Sequence, residues 1–116
     1  MDEHEIAEYL DAAKGLPRVL GKVALYKKLL SKFLADTGAQ VDRLKKEIEA
    51  NDRAAASVTV HTIKGVAGNL SMTKLYEASL ALEALLKTEA EASAAEYAAV
   101  YEKTVKAVEA YMQNNS

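Results

Sequence analysis

The chain has 116 residues, half of them hydrophobic and 28% charged, with no cysteine and a formal net charge of −2. That length closes one apolar core, while the interspersed charges offer no basic block for a nucleic-acid backbone and no apolar run is long enough to span a bilayer. The missing cysteines exclude disulfide staples, and the acidic start Met1-Asp2-Glu3-His4 lacks a signal-peptide pattern, so a cytoplasmic domain that binds neither nucleic acid nor membrane is expected.

Abundant Ala, Leu, Glu and Lys favour helices. Residues 2–12 read as a short amphipathic helix with Ile6, Ala7 and Leu10 at helical spacing. Gly15-Leu16-Pro17 through Gly21 reads as a break, because Pro17 lacks a backbone donor and restricts Leu16 before it. A helix over 22–36 carries Leu25, Leu29, Leu30 and Phe33. Asp36-Thr37-Gly38 reads as a second break, and 39–50 resumes with Val41, Leu44 and Ile48. Asp52 suits the N-cap of a helix over 53–70, and Ser71 or Thr73 that of a helix over 73–88 with Leu75, Ser79, Leu82 and Leu86 in register. The last helix, 92–112, places Tyr97, Val100, Tyr101, Val105, Val108 and Met112 together.

The expected fold is all-α with about six helices, as a single domain over 1–116. Residues 39–112 form an antiparallel four-helix bundle, 22–36 a capping helix, and 1–21 an N-terminal helix and loop. The expected core holds Leu44, Ile48, Thr59, Ile63, Val66, Leu75, Leu82, Leu86, Val105 and Val108.

Projected at helical spacing, Ala56, Thr59, Ile63, Val66 and Leu70 fall within about 40° of one direction and His61 points the opposite way. That argues against a packed core histidine. Lys64, Gly65 and Gly68 share the His61 face. Two glycines inside a helix cost roughly 1 kcal/mol each relative to alanine, which this chain uses freely. Beside a histidine they clear space for an approaching surface, although a helix end at Gly65 or close helix packing also accounts for them. A solvent-facing imidazole is substantially neutral near pH 7, and its free nitrogen is a nucleophile toward an acyl phosphate. The phosphohistidine so formed needs a cation, and Lys64 stands one turn away.

The string His61-Thr62-Ile63-Lys64-Gly65-Val66-Ala67-Gly68-Asn69-Leu70 resembles the signature of histidine-phosphotransfer (HPt) domains. Leu25 through Leu34 and Leu75 through Leu86 resemble the family's neighbouring helices, and Ser71 departs from a position where glycine is common. The resemblance implies that His61 takes a phosphoryl group from a receiver-domain phosphoaspartate and passes it to another receiver's aspartate. It implies further that Lys64 supports the phosphoryl group and Gly65 leaves room for docking. Partners would be response-regulator receivers and a sensor or hybrid histidine kinase. No cofactor is expected, any Mg²⁺ being supplied in the receiver's acidic pocket, and the chain is expected to be a monomer.

His61 and Glu83 stand equally far from the turn near residue 72, so an antiparallel hairpin puts them at one height. Glu83 is expected to accept a hydrogen bond from His61 Nδ1–H and leave Nε2 as the nucleophile. HPt-like domains often carry Gln or Glu at this offset. The plain alternative is a solvated glutamate paired with Lys87 at i,i+4. Val58, Leu80 and Gly68 are candidate partner-docking residues around the histidine.

A kinase needs an ATP site, and no Gly-rich phosphate loop follows a strand, so a carrier without catalytic activity of its own is expected. A bundle metal or haem site needs inward-facing Glu-x-x-His pairs, whereas the chain has only His4 and an outward His61. Two alternatives stay open: a phosphorylation-independent helical adaptor that binds receivers, and the phosphorylatable domain of a chemotaxis-type kinase.

Overall fold

The computed structural model describes residues 1–115 and folds them into six α-helices: α1 (Glu3–Tyr9), α2 (Ala12–Arg18), α3 (Val23–Glu49), α4 (Arg53–Leu70), α5 (Thr73–Leu86) and α6 (Ala94–Asn114). Three aspartates fix where helices begin. Asp2, Asp11 and Asp52 each accept a hydrogen bond from the backbone N–H three residues on, at Glu5 (2.8 Å), Lys14 (3.3 Å) and Ala55 (3.2 Å). These bonds satisfy donors that a first helical turn leaves unpaired.

The ends of α2, α3 and α4 share one device. Leu20, Asn51 and Ser71 adopt left-handed backbone, with φ of 58°, 54° and 58°. The next N–H in each case reaches back into the helix: Gly21 to the Leu16 carbonyl, Asp52 to Glu47 and Met72 to Ala67, all at 2.8 Å. Such closures satisfy the last carbonyls and favour glycine at the left-handed position, where a side chain crowds the backbone. The departure noted at Ser71 therefore has a physical cost. Ser71→Gly is expected to raise unfolding stability by about 1 kcal/mol, read as a higher denaturant midpoint at unchanged slope.

Each of α3, α4, α5 and α6 packs on the next, and α6 packs back on α3, closing a four-helix ring. α1 lies against α5 and α6, and α2 against α3 and α4. Leu44, Thr59, Ile63, Leu75, Leu82, Leu86 and Val108 are buried as expected, while Ile48, Val66 and Val105 are only partly buried. Val60, Ala67 and Ala107, outside the expected core, are fully buried.

Two expected breaks are absent. The helices at 22–36 and 39–50 are one helix, α3, which runs straight through Asp36-Thr37-Gly38. Its stripe of Leu30, Phe33, Thr37, Val41 and Leu44 keeps helical spacing across the junction, so burial outweighs the local propensity of Thr and Gly. At Gly38 a Cβ would come within 3.2 Å of the Tyr101 hydroxyl, so that glycine serves the approach of α6 instead of ending a helix. No separate capping helix exists at 22–36. The bundle's first helix begins at Val23.

The other correction lies in the N-terminal segment. The expected helix over 2–12 stops at Tyr9, and the expected loop around Gly15-Leu16-Pro17 is helix α2. The Asp11 cap and the Gly21-to-Leu16 closure offset the donor that Pro17 lacks. Gly15 is buried against Tyr26, whose ring atoms lie 2.7 Å from where a Cβ would stand. Tyr26 itself is fully buried and donates to the Leu70 carbonyl at 2.7 Å, while Leu25, assigned to the apolar stripe, is 40% exposed. Tyr26→Phe leaves that buried carbonyl unpaired and is expected to cost about 1–3 kcal/mol by thermal or urea unfolding.

Candidate functional site

α4 turns Ala56, Thr59, Val60, Ile63, Ala67 and Leu70 into the bundle. A helix that buries this face must present His61 on the other, and its side chain is 69% exposed. The outward orientation expected from spacing is thus the observed one.

Glu83 on α5 completes the geometry. Its Oε2 lies 2.8 Å from His61 Nδ1, and its Oε1 accepts from Lys64 Nζ at 2.5 Å. The pairing of Glu83 with His61 is the expected one, and Glu83 makes no ion pair with Lys87 among the described residues. The Lys64 contact was not expected. Lys64 and Glu83 are largely shielded, at 18% and 15% exposed, so the pair sits beneath an exposed ring. A sequence signal for it did exist. Lys64 shares a face with His61, and its flexible stem spans the turn between them.

The charge state follows from the contacts. The Lys64 ammonium first, and the His61 ring second, hold the Glu83 carboxyl below the ordinary carboxylate range. An ionised carboxylate only accepts hydrogen bonds, so Nδ1 carries the proton in this contact. In the neutral ring the lone pair then belongs to Nε2, which has no partner among the described residues. A carboxyl lowered in the folded state stabilises the fold fully above its unfolded value, and that stability is lost as pH falls through the native value. The stability difference between the wild type and Glu83→Gln is therefore expected to carry this pH dependence. It should shrink toward zero as pH drops below about 5, in urea unfolding at stepped pH.

The two glycines have different surroundings. At Gly65 a Cβ would meet nothing within 4 Å, and α4 continues to Leu70, so neither close packing nor a helix end explains it. At Gly68 a Cβ would approach the Tyr76 ring at 3.2 Å, so part of that glycine's reason is the fit of α5 against α4. Val58 and Leu80, 70% and 49% exposed, are large apolar side chains left uncovered. Val58 lies one turn before His61 on α4, and Leu80 one turn before Glu83 on α5. His61, Lys64, Gly65 and Glu83 therefore form one site. Val58 and Leu80 are exposed on the two helices that build it, and Gly68 lies two turns beyond His61.

At the far end of the α4–α5 hairpin, Arg53 donates to the carbonyls of Leu86 (3.2 Å), Leu85 (3.0 Å) and Ala90 (2.8 Å). These bonds satisfy carbonyls at the end of α5 and tie the following loop to the start of α4, which fixes the two helices that carry the site. No helix among the described residues is long and apolar enough to cross a membrane. Among known proteins, the family model for the Hpt domain matches residues 28–113. No curated protein and no solved structure matches the chain.

Proposed function

The chain belongs to the Hpt domain family, whose members carry phosphoryl groups in two-component phosphorelays, and on that premise we propose that His61 is the residue that carries the phosphoryl group here. In this reading Nε2 attacks the phosphorus of a receiver's phosphoaspartate. The N–P bond forms as the acyl P–O bond breaks, and the aspartate leaves as a carboxylate. The ring gains positive charge and keeps its Nδ1 proton, which the Glu83 carboxylate is placed to stabilise. The reverse exchange at a second receiver returns the neutral ring. Lys64, on the other oxygen of the same carboxylate, is the cation for the phosphoryl oxygens.

The observation that carries the proposal is an exposed imidazole whose Nδ1 alone is tied down. Gly65 and the uncovered Val58 and Leu80 supply an open docking surface for receiver domains and for a sensor or hybrid histidine kinase. Any Mg²⁺ belongs to the receiver's pocket, and the chain acts as a carrier without an ATP site, located with its partners in the cytoplasm.

Incubation with phosphorylated receivers tests this directly. Loss of label from a receiver with gain of acid-labile, base-stable label on this chain is the expected result. Failure with every receiver would leave a phosphorylation-independent adaptor. Glu83→Ala is expected to slow transfer on the order of tenfold and to release the Nδ1–H tautomer, which nitrogen chemical shifts of the ring report. An unchanged tautomer and rate would reduce Glu83 to a partner of Lys64.

A further inference from the structure

A groove of about 560 Å³ opens beside the histidine, between α2 and the α4–α5 hairpin. Lys64, Gly65 and Gly68 line one side, Tyr76 and Glu77 another, and Lys14 and Arg18 reach it from α2. Its nearest edge, at Lys64, lies about one helical turn from His61, roughly 4.5 Å along α4.

Lys14 and Arg18 are one turn apart on α2, both exposed, and neither side chain makes an ion pair or hydrogen bond among the described residues. Like charges at i,i+4 disfavour a helix. The helix dipole favours Arg18 in the last turn but not Lys14 in the first. Glu77 is the one carboxylate on the groove wall among its described residues, and Lys64 is already engaged by Glu83. The unpaired cations of the groove are thus Lys14 and Arg18.

Their position is built in. Asp11 N–H donates to the Ser71 carbonyl at 2.9 Å, joining the start of α2 to the end of α4. Gly15, between the two cations, is pressed onto the buried Tyr26, which bonds the Leu70 carbonyl. α2 also lies outside the stretch that the family model matches, residues 28–113.

We propose that Lys14 and Arg18 form a second, electrostatic contact for the receiver, recognising the acidic rim of the pocket that holds its phosphorylated aspartate. The inference rests on the carrier reading above. A pocket that binds a divalent cation beside its aspartate is built from carboxylates, and Lys14 and Arg18 match that charge. A partner footprint of about 800 Å² centred on His61 has a radius of about 16 Å and reaches the groove. Opposite charges across it raise the encounter rate and select among receivers whose rims differ.

The experiment uses the full chain, a phosphorylated receiver that labels the wild type, and phosphoramidate as a small donor that needs no docking. The Lys14→Glu/Arg18→Glu double variant is expected to lose at least about tenfold in the second-order transfer rate at low ionic strength. The gap should narrow as salt rises, and labelling by phosphoramidate should match the wild type. Transfer within twofold of wild type at low salt overturns the inference and leaves the carrier reading intact. An equal loss with phosphoramidate also overturns it, because the cations would then act on the His61 chemistry. If no receiver labels the wild type while phosphoramidate does, the carrier reading falls and takes this inference with it.

Discussion

Replacing His61 with glutamine is expected to abolish phosphoryl uptake while changing unfolding stability by less than about 0.5 kcal/mol. The two halves of that result have separate causes. Glutamine ends in an amide whose nitrogen lone pair is delocalised, so it has no nucleophile for an acyl phosphate. Stability is spared because the ring is mostly exposed. Its one polar partner, Glu83, keeps the Lys64 ammonium and stays satisfied. Label transfer from a phosphorylated receiver and urea unfolding of the same preparation measure both halves. A large loss of stability would mean that the imidazole holds the α4–α5 hairpin together.

Gly65→Gln is expected to separate stability from transfer in the opposite sense. Nothing lies within 4 Å of where its Cβ would stand, so the substitution creates no clash. Exchanging an interior glycine for a good helix former should stabilise α4 by about 0.5–1 kcal/mol. The same side chain would project from the exposed face one turn beyond His61, where a partner has to close on Nε2. Bulk at the centre of a docking surface costs on the order of tenfold or more in transfer. Gly65→Ala, with one methyl group, should keep the stability gain and lose less transfer. Destabilisation by either substitution would assign Gly65 to packing.

The contrast between His61 and the N-terminal segment shows which information the chain carries locally. The side of α4 on which His61 lies follows from helical spacing alone, because six buried positions leave one direction for solvent. The height of Glu83 follows from the symmetry of a hairpin about its turn. The continuity of α3 was legible too, in a stripe from Leu30 to Leu44 that never changes register, but Asp36-Thr37-Gly38 is a strong local signal for a break. Propensity costs of about 1 kcal/mol are small against the burial of Phe33 and Val41 on either side.

Other features depend on contacts between segments far apart in the chain. Burial of Tyr26 depends on a carbonyl at Leu70, far along the chain, and on a glycine at position 15 that admits its ring. Helix α2 depends on that same contact, since Pro17 and Leu16 favour a break when read alone. The Lys64–Glu83 pair required knowing that α5 crosses α4 closely enough for one carboxylate to meet two donors. Long-range contacts of this kind decide the details of a site whose location the periodicity already indicates.

Phosphorus and nitrogen NMR of the chain after exposure to a phosphorylated receiver tests the central claim most directly, because it reads which atom holds the phosphoryl group. The account predicts a single phosphoramidate on Nε2 of His61, with the proton retained on Nδ1. Phosphorus on Nδ1 of that ring, on His4 or on a hydroxyl side chain would contradict it.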